Sequence, residues 1–284
     1  MRVLVNGTSL YIDIEGPGLV PDGDTMREAP TLLLLHGGPG HDHSIFKPDY
    51  GRLADVAQIV YVDQRGNGRS QDSDPATWNL DQWADDVHAL CETLGITKPI
   101  VLGWSFGGTV AMNYASRYPD HPAKLILQST VARWDRDLIV ESFRAEGGEE
   151  AAMAAKALLT EGTMEAFAAY GRHCAPLYSP GPSFPSAADI QMMSRMIPNI
   201  GLTLSFLSGR PFDLRPALAA VRCPTLILAG SRDPITPLAS AQEIADSLPP
   251  SVLAGYEIFE HSGHMIPGSE GERLMALLRS FIVE

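Results

Sequence analysis

A mainly parallel α/β sheet with helices on both faces, interrupted by a helical insertion, is the fold class this sequence predicts. Three observations carry it. Short apolar runs bounded by glycine or proline alternate with helical periodicities along most of the chain, the pattern of strands buried on both faces and of their crossover helices. One run, Pro99 to Trp104, turns through Gly103-Trp104-Ser105-Phe106-Gly107 into a small-residue helix, which makes a strand, sharp elbow and helix unit. From about Trp134 to Phe212 the pattern changes, with helical stretches between Gly/Pro breaks and no strand-like run. The expected organisation is therefore a core formed by residues 1–133 and 214–284, with a helical cap at 134–213.

The elements follow in order. Residues 2 to 15 alternate across Asn6-Gly7 and predict an edge hairpin, and the Pro/Gly/Asp-rich stretch 16 to 30 predicts a loop. Thr31 to Leu35 predicts a central strand that ends in His36-Gly37-Gly38-Pro39-Gly40. Ser44 to Ala57 reads as a helix, Gln58 to Val62 as a strand, and Asp63-Gln64-Arg65-Gly66-Asn67-Gly68-Arg69-Ser70 as a charged loop that ties itself to its neighbours. Leu80 to Leu94 has helical periodicity, with Trp83, Val87, Leu90, Cys91 and Leu94 on one face. Lys124 to Gln128, Thr225 to Ala229 and Tyr256 to Glu260 are further strands, and Leu274 to Val283 closes the chain as an amphipathic helix. Within the insertion, Glu149 to Leu159 and Thr163 to Gly171 read as helices, and a third starts at Ser186, where Ser186 and Asp189 have capping-box spacing. Its apolar positions, among them Met153, Met164, Met192, Met193 and Met196, suggest an adaptable wall over a pocket.

Sites of such sheets lie at the carboxyl ends of the strands. Gly38, Ser105, Asp233 and His264 all fall at such ends. A serine hydroxyl is a poor nucleophile and needs a base, which in turn needs an orienting carboxylate. Ser105, Asp233 and His264 occur in the order nucleophile, acid, base, with His261 the fallback base and Asp233 also a candidate helix cap. The N–H of Phe106 heads the helix after the elbow and is one oxyanion donor; the glycines of the oxyanion loop supply the second, Gly38 with Gly37 as the alternative. Trp104 and Gly37 flank the reacting position as substrate contacts, and His36 reads as a structural imidazole. No metal, nucleotide or flavin is required by this chemistry.

Apolar content of 45% and charged content of 19% are those of an ordinary globule, and a net charge of -13 argues against nucleic acid and anionic membrane surfaces as partners. No signal peptide or membrane span is read. Cys91, Cys174 and Cys223, odd in number and without metal-ligand spacing, read as buried thiols of a cytoplasmic protein.

These residues resemble the α/β-hydrolase superfamily, which implies an eight-stranded sheet and the Ser-Asp-His roles above. Within it, His36-Gly37-Gly38-Pro39-Gly40 together with Asp63 to Ser70 is similar to the proline iminopeptidase family, whose members remove an N-terminal proline from small peptides. Two departures stand out. That family usually has Gly-Gly-Ser-Trp-Gly at its elbow, and it holds the substrate amine with cap glutamates, one of them in a Glu-Asn-His-Tyr-like segment that is missing between 134 and 213 here. Glu146, Glu149, Glu150, Glu161, Glu165 and Asp189 are the candidate anchors that remain. The expected partner is a small acyl substrate, ester, lactone or short peptide. The alternatives are an iminopeptidase-type aminopeptidase, a non-enzymatic small-ligand binder on the same fold, and cofactor-free peroxidation by a similar triad.

Overall fold

The computed structural model describes residues 1–47, 49–179, 193–209 and 211–284. An eight-stranded sheet runs through the centre in the order β1-β2-β6-β5-β7-β8-β9-β10. Its strands are β1 (Arg2–Val5), β2 (Thr8–Glu15), β5 (Thr31–Leu35), β6 (Gln58–Asp63), β7 (Ile100–Trp104), β8 (Lys124–Gln128), β9 (Thr225–Gly230) and β10 (Leu253–Phe259). The β1–β2 and β2–β6 pairings are antiparallel and the others parallel. The central strands β5, β7 and β9 are apolar on both faces because helices cover both faces.

On one face α1 (Leu80–Leu94) and α2 (Phe106–Arg117) bring Trp83, Leu90, Val110 and Tyr114 against the sheet. On the other, Phe46, Tyr50 and Trp104 pack with Leu274 and Leu278 of the last helix, α8 (Ile266–Val283). Between β8 and β9 lie α3 (Arg136–Glu161), α4 (Met164–His173), α5 (Ile200–Leu207) and the single turn α6 (Arg215–Leu218), with α7 (Leu238–Ser247) following β9. The insertion has its own apolar centre around Phe143, Ala152, Leu158 and Tyr170.

Several expectations are corrected. The stretch 16 to 30 is not all loop: β3 (Leu19–Asp22) and β4 (Thr25–Glu28) form a separate two-stranded hairpin. Its strands are almost wholly exposed, so no buried periodicity marks them. In place of a helix over 44 to 57, the chain makes two 3-10 turns, His43–Ile45 and Tyr50–Leu53. Pro48 and Gly51 fall inside that stretch and disfavour a continuous helix. Helix α3 begins far earlier than Glu149 and is broken at Gly148, where φ is +75°. Helix α8 begins at Ile266, eight residues before the expected start, and kinks at Glu270. Met153 and Met164 face solvent at 65% and 58% exposure instead of walling a pocket. The helix expected at Ser186, with Asp189 and Met192, lies outside the described residues.

Candidate active site

At the elbow, Ser105 adopts φ +56° and ψ −121°, a conformation that a side-chain-bearing residue rarely takes. The turn is held by what glycine leaves out. A Cβ on Gly103 would overlap the Gly107 carbonyl, and one on Gly107 would overlap the Leu35 carbonyl of the neighbouring strand. Helix α2 is thereby drawn against β5 and β7, with Ser105 at its N-cap and the Phe106 N–H as its first donor.

Gly37 and Gly38 lie against this elbow. A Cβ on Gly37 would stand 3.2 Å from Ser105 Cβ, and Gly38 has φ +116°, which glycine alone tolerates well. His36 beneath them is structural: its Nδ1 donates to the Gly37 carbonyl at 2.8 Å, and its Nε2 accepts from the Gln64 N–H at 3.2 Å.

The loops after β9 and β10 cross tightly, since a Cβ on Gly230 would overlap the Gly263 carbonyl. That crossing brings His264 Nδ1 to 2.7 Å from Asp233 Oδ2. Asp233 Oδ1 accepts from the N–H groups of Ile235 and Thr236 at 3.0 and 2.9 Å, and the Thr236 hydroxyl donates to Oδ2. Asp233 is not a helix cap, because α7 starts at Leu238 behind Pro237. His261 is exposed and stands away from the site, with its N–H on Glu270.

Ser105, His264, Gly37, Gly38, Trp104 and Phe106 all line one cavity of about 340 Å³ beneath the helical insertion. Asp233 supports His264 from behind this surface. No hydrogen bond joins Ser105 Oγ to His264 among the described residues. Phe167 and Tyr170 of α4, Phe206 of α5, Met193 and Met196 also line it. Among the described lining residues there is no Asp, Glu, Lys or Arg. Of the acidic candidates, Glu146 pairs with Arg232 and Glu149 with Arg144, while Glu150, Glu161 and Glu165 are exposed; Asp189 lies outside the described residues.

The charged loop after β6 does what its composition suggests. Asp63 accepts from the N–H groups of His43 and Arg69, and Asn67 Oδ1 accepts from the Gly40 N–H at 2.6 Å. Arg65 grips Asp86 of α1 through two bonds of 2.6 and 2.8 Å. These contacts extend into the insertion. Asn199, the N-cap of α5, donates from Nδ2 to the Gly66 carbonyl and from its backbone to the Gly40 carbonyl, and the Thr203 hydroxyl donates to the Pro39 carbonyl at 2.7 Å.

The sequence reading missed three contributors: Thr236 on Asp233, Tyr178 packed edge-on 5.0 Å from the His264 ring, and His41 in the cavity wall. Only Thr236 left a signal, through its three-residue spacing from Asp233.

Burial pushes the His41 imidazole down to about 4, helped by its neighbours His36 and His264, and burial displaces His36 in the same direction. Unfolding restores the ordinary value near 6.5, so the unfolded chain binds protons that the folded chain refuses. Stability is therefore expected to fall as pH drops from 6.5 towards 4. Urea midpoints across that interval should show the slope, and His41→Phe should flatten it; equal slopes in the two proteins would refute the assignment to His41.

The family model described as alpha/beta hydrolase fold matches residues 30–270. This chain belongs to the alpha/beta hydrolase family. The hydrolase is 30% identical over 257 residues to a proline iminopeptidase of Levilactobacillus brevis, covering 86% of this chain and 85% of that one. It is 29% identical over 253 residues to a pimeloyl-[acyl-carrier protein] methyl ester esterase of Chromobacterium violaceum, covering 84% and 90%. Among solved structures it is similar to a thermophilic esterase from Thermogutta terrifontis, with a TM-score of 0.73 and 27% identity over 99% of this chain and 98% of that one. The hydrolase is thus an enzyme whose named relatives include both peptidases and esterases. The described residues include no helix long and apolar enough to cross a membrane.

Proposed function

We propose that this hydrolase cleaves small uncharged esters or lactones through an acyl-enzyme on Ser105. His264 takes the Ser105 proton as Oγ attacks the acyl carbon, and the carbonyl oxygen becomes an oxyanion that the N–H groups of Phe106 and Gly38 stabilise. Collapse of the tetrahedral adduct expels the alcohol, which His264 protonates. Water, deprotonated by His264, then releases the acid. Asp233 fixes the Nδ1–H tautomer of His264, leaving Nε2 to carry protons. Both chains of support, Asp233 to His264 and the strained elbow at Ser105, favour this assignment. A serine–histidine contact is often long before substrate binds and tightens in the complex. The insertion at 134–213 acts as the cap over the acyl group, and the three buried free thiols fit a reducing cytoplasm.

The observation that carries the ester or lactone reading is that no Asp, Glu, Lys or Arg occurs among the described residues of the cavity wall. An N-terminal ammonium placed there would be desolvated without a carboxylate partner among the described residues, at a cost of several kcal/mol. The names of the curated relatives and the loops at 36–40 and 63–70 favour the second reading, an iminopeptidase-type peptidase. Values of kcat/KM for short p-nitrophenyl esters, acyl lactones and a prolyl arylamide separate the two. The ester or lactone is expected to exceed the arylamide by at least about 100-fold, the factor that some 3 kcal/mol imposes. A faster arylamide would establish the second reading instead.

A further inference from the structure

Two groups of potential metal ligands occur outside the cavity among the described residues. The first, Asp42, His43 and Asp63, has both its carboxylates engaged in hydrogen bonds. Asp63 Oδ1 accepts from the backbone and ring of His43, Asp63 Oδ2 accepts from the Arg69 N–H, and Asp42 Oδ2 receives the Arg69 guanidinium and the Ile197 N–H. Those bonds hold the charged loop in place and already neutralise both carboxylates with protein donors.

The second group is different. His88 and Glu92 are four residues apart on α1 and so project from one face of it. His121 comes from the turn between α2 and β8, where its N–H donates to the Tyr118 carbonyl. One ligand atom from each of the three lies within 4.8 Å of the other two. The His88 ring stacks on Tyr118 at 3.9 Å and stands 4.8 Å from the His121 ring. His121 Nε2 is buried without a hydrogen-bond partner, 3.8 Å from a Glu92 carboxylate oxygen. A buried polar atom of this kind calls for a partner. We propose that His88, Glu92 and His121 bind one divalent transition-metal ion of the zinc class.

Two imidazole nitrogens and a carboxylate oxygen suit zinc better than magnesium or calcium, and they leave a fourth position for water. Tetrahedral zinc needs donors about 3.3 Å apart, so the present spacing must contract. The Glu92 side chain, 64% exposed, is free to turn inward. The second nitrogen of His121 is already held by the Tyr114 hydroxyl, and that outer contact orients the ring with Nε2 towards the ion.

The site lies far from the reaction. Helix α1 runs back from the carboxyl edge of the sheet, so its second half, like the α2–β8 turn, is at the amino ends of the strands. A bound ion would fasten α1 to the α2–β8 connection.

The test uses the untagged full chain freed of metal by EDTA and titrated with zinc chloride, followed by calorimetry and thermal unfolding. One ion per chain is expected, with Tm rising by about 5 °C at hundredfold excess over Kd, and no shift with magnesium. Glu92→Gln, an exposed change that leaves folding intact, should weaken zinc binding at least about tenfold, and His121→Asn should weaken it further. Failure to bind one zinc ion, or unchanged affinity in Glu92→Gln, would overturn the proposal.

Discussion

Ser105→Ala is expected to lower kcat on the best ester by at least about 10⁴-fold while leaving a folded protein, because the base and the oxyanion donors without a nucleophile retain only residual catalysis. The elbow makes a second outcome measurable. Ser105 holds a backbone conformation that costs of order 1–3 kcal/mol for a residue with a side chain. Ser105→Gly should therefore match the alanine variant in lost activity and exceed it in stability by roughly 1 kcal/mol. Circular dichroism, urea denaturation and single-turnover acylation give the three readings. Turnover within tenfold of the parent in Ser105→Ala would remove this residue from the reaction.

Asp86→Ala is expected to be the most destabilising single change outside the site. The Arg65–Asp86 pair is almost fully buried, with side-chain exposures of 4% and 3%. Asp86 also receives bonds from Asn6 and Gln82. Removing the carboxylate strands the guanidinium in the interior, at a cost of about 3–5 kcal/mol, or about 10 °C in Tm for a domain of this size. Replacing both partners, Arg65→Met with Asp86→Leu, should recover most of that loss, because the penalty comes from the orphaned charge. A thermal shift below about 2 °C in Asp86→Ala would show the pair to be dispensable.

Much of the site was legible because its residues sit where strands stop. A buried apolar run followed by glycine marks both an end and a close approach, and Gly37, Gly38, Gly103 and Gly107 carry that signal for geometric reasons. Asp233 and His264 could be placed from strand ends alone, since the parallel sheet brings all such ends to one edge. The wall was harder to read. Helix α5 is apolar nearly throughout, so it has no helical periodicity, and only Asn199, whose Oδ1 caps the Leu202 N–H, marks its start. His41 carries no pattern at all, because its place in the cavity follows from how the glycine-rich loop after β5 turns. The choice between Met193 and Met153 as wall residues was equally hidden, because a methionine on a helix gives no sign of which neighbour it will meet.

The bonds from Asn199 and Thr203 to Gly40, Gly66 and Pro39 hang α5 on the loop after β5, which bears the proposed oxyanion donor Gly38, and on the charged loop after β6. On the proposed mechanism, changes in substrate range and in turnover are therefore expected to go together. A change that reshapes α5 is expected to shift the Gly38 amide proposed to receive the developing charge. Variants that broaden selectivity without slowing the reaction should accumulate on α4, whose Phe167 and Tyr170 line the same cavity.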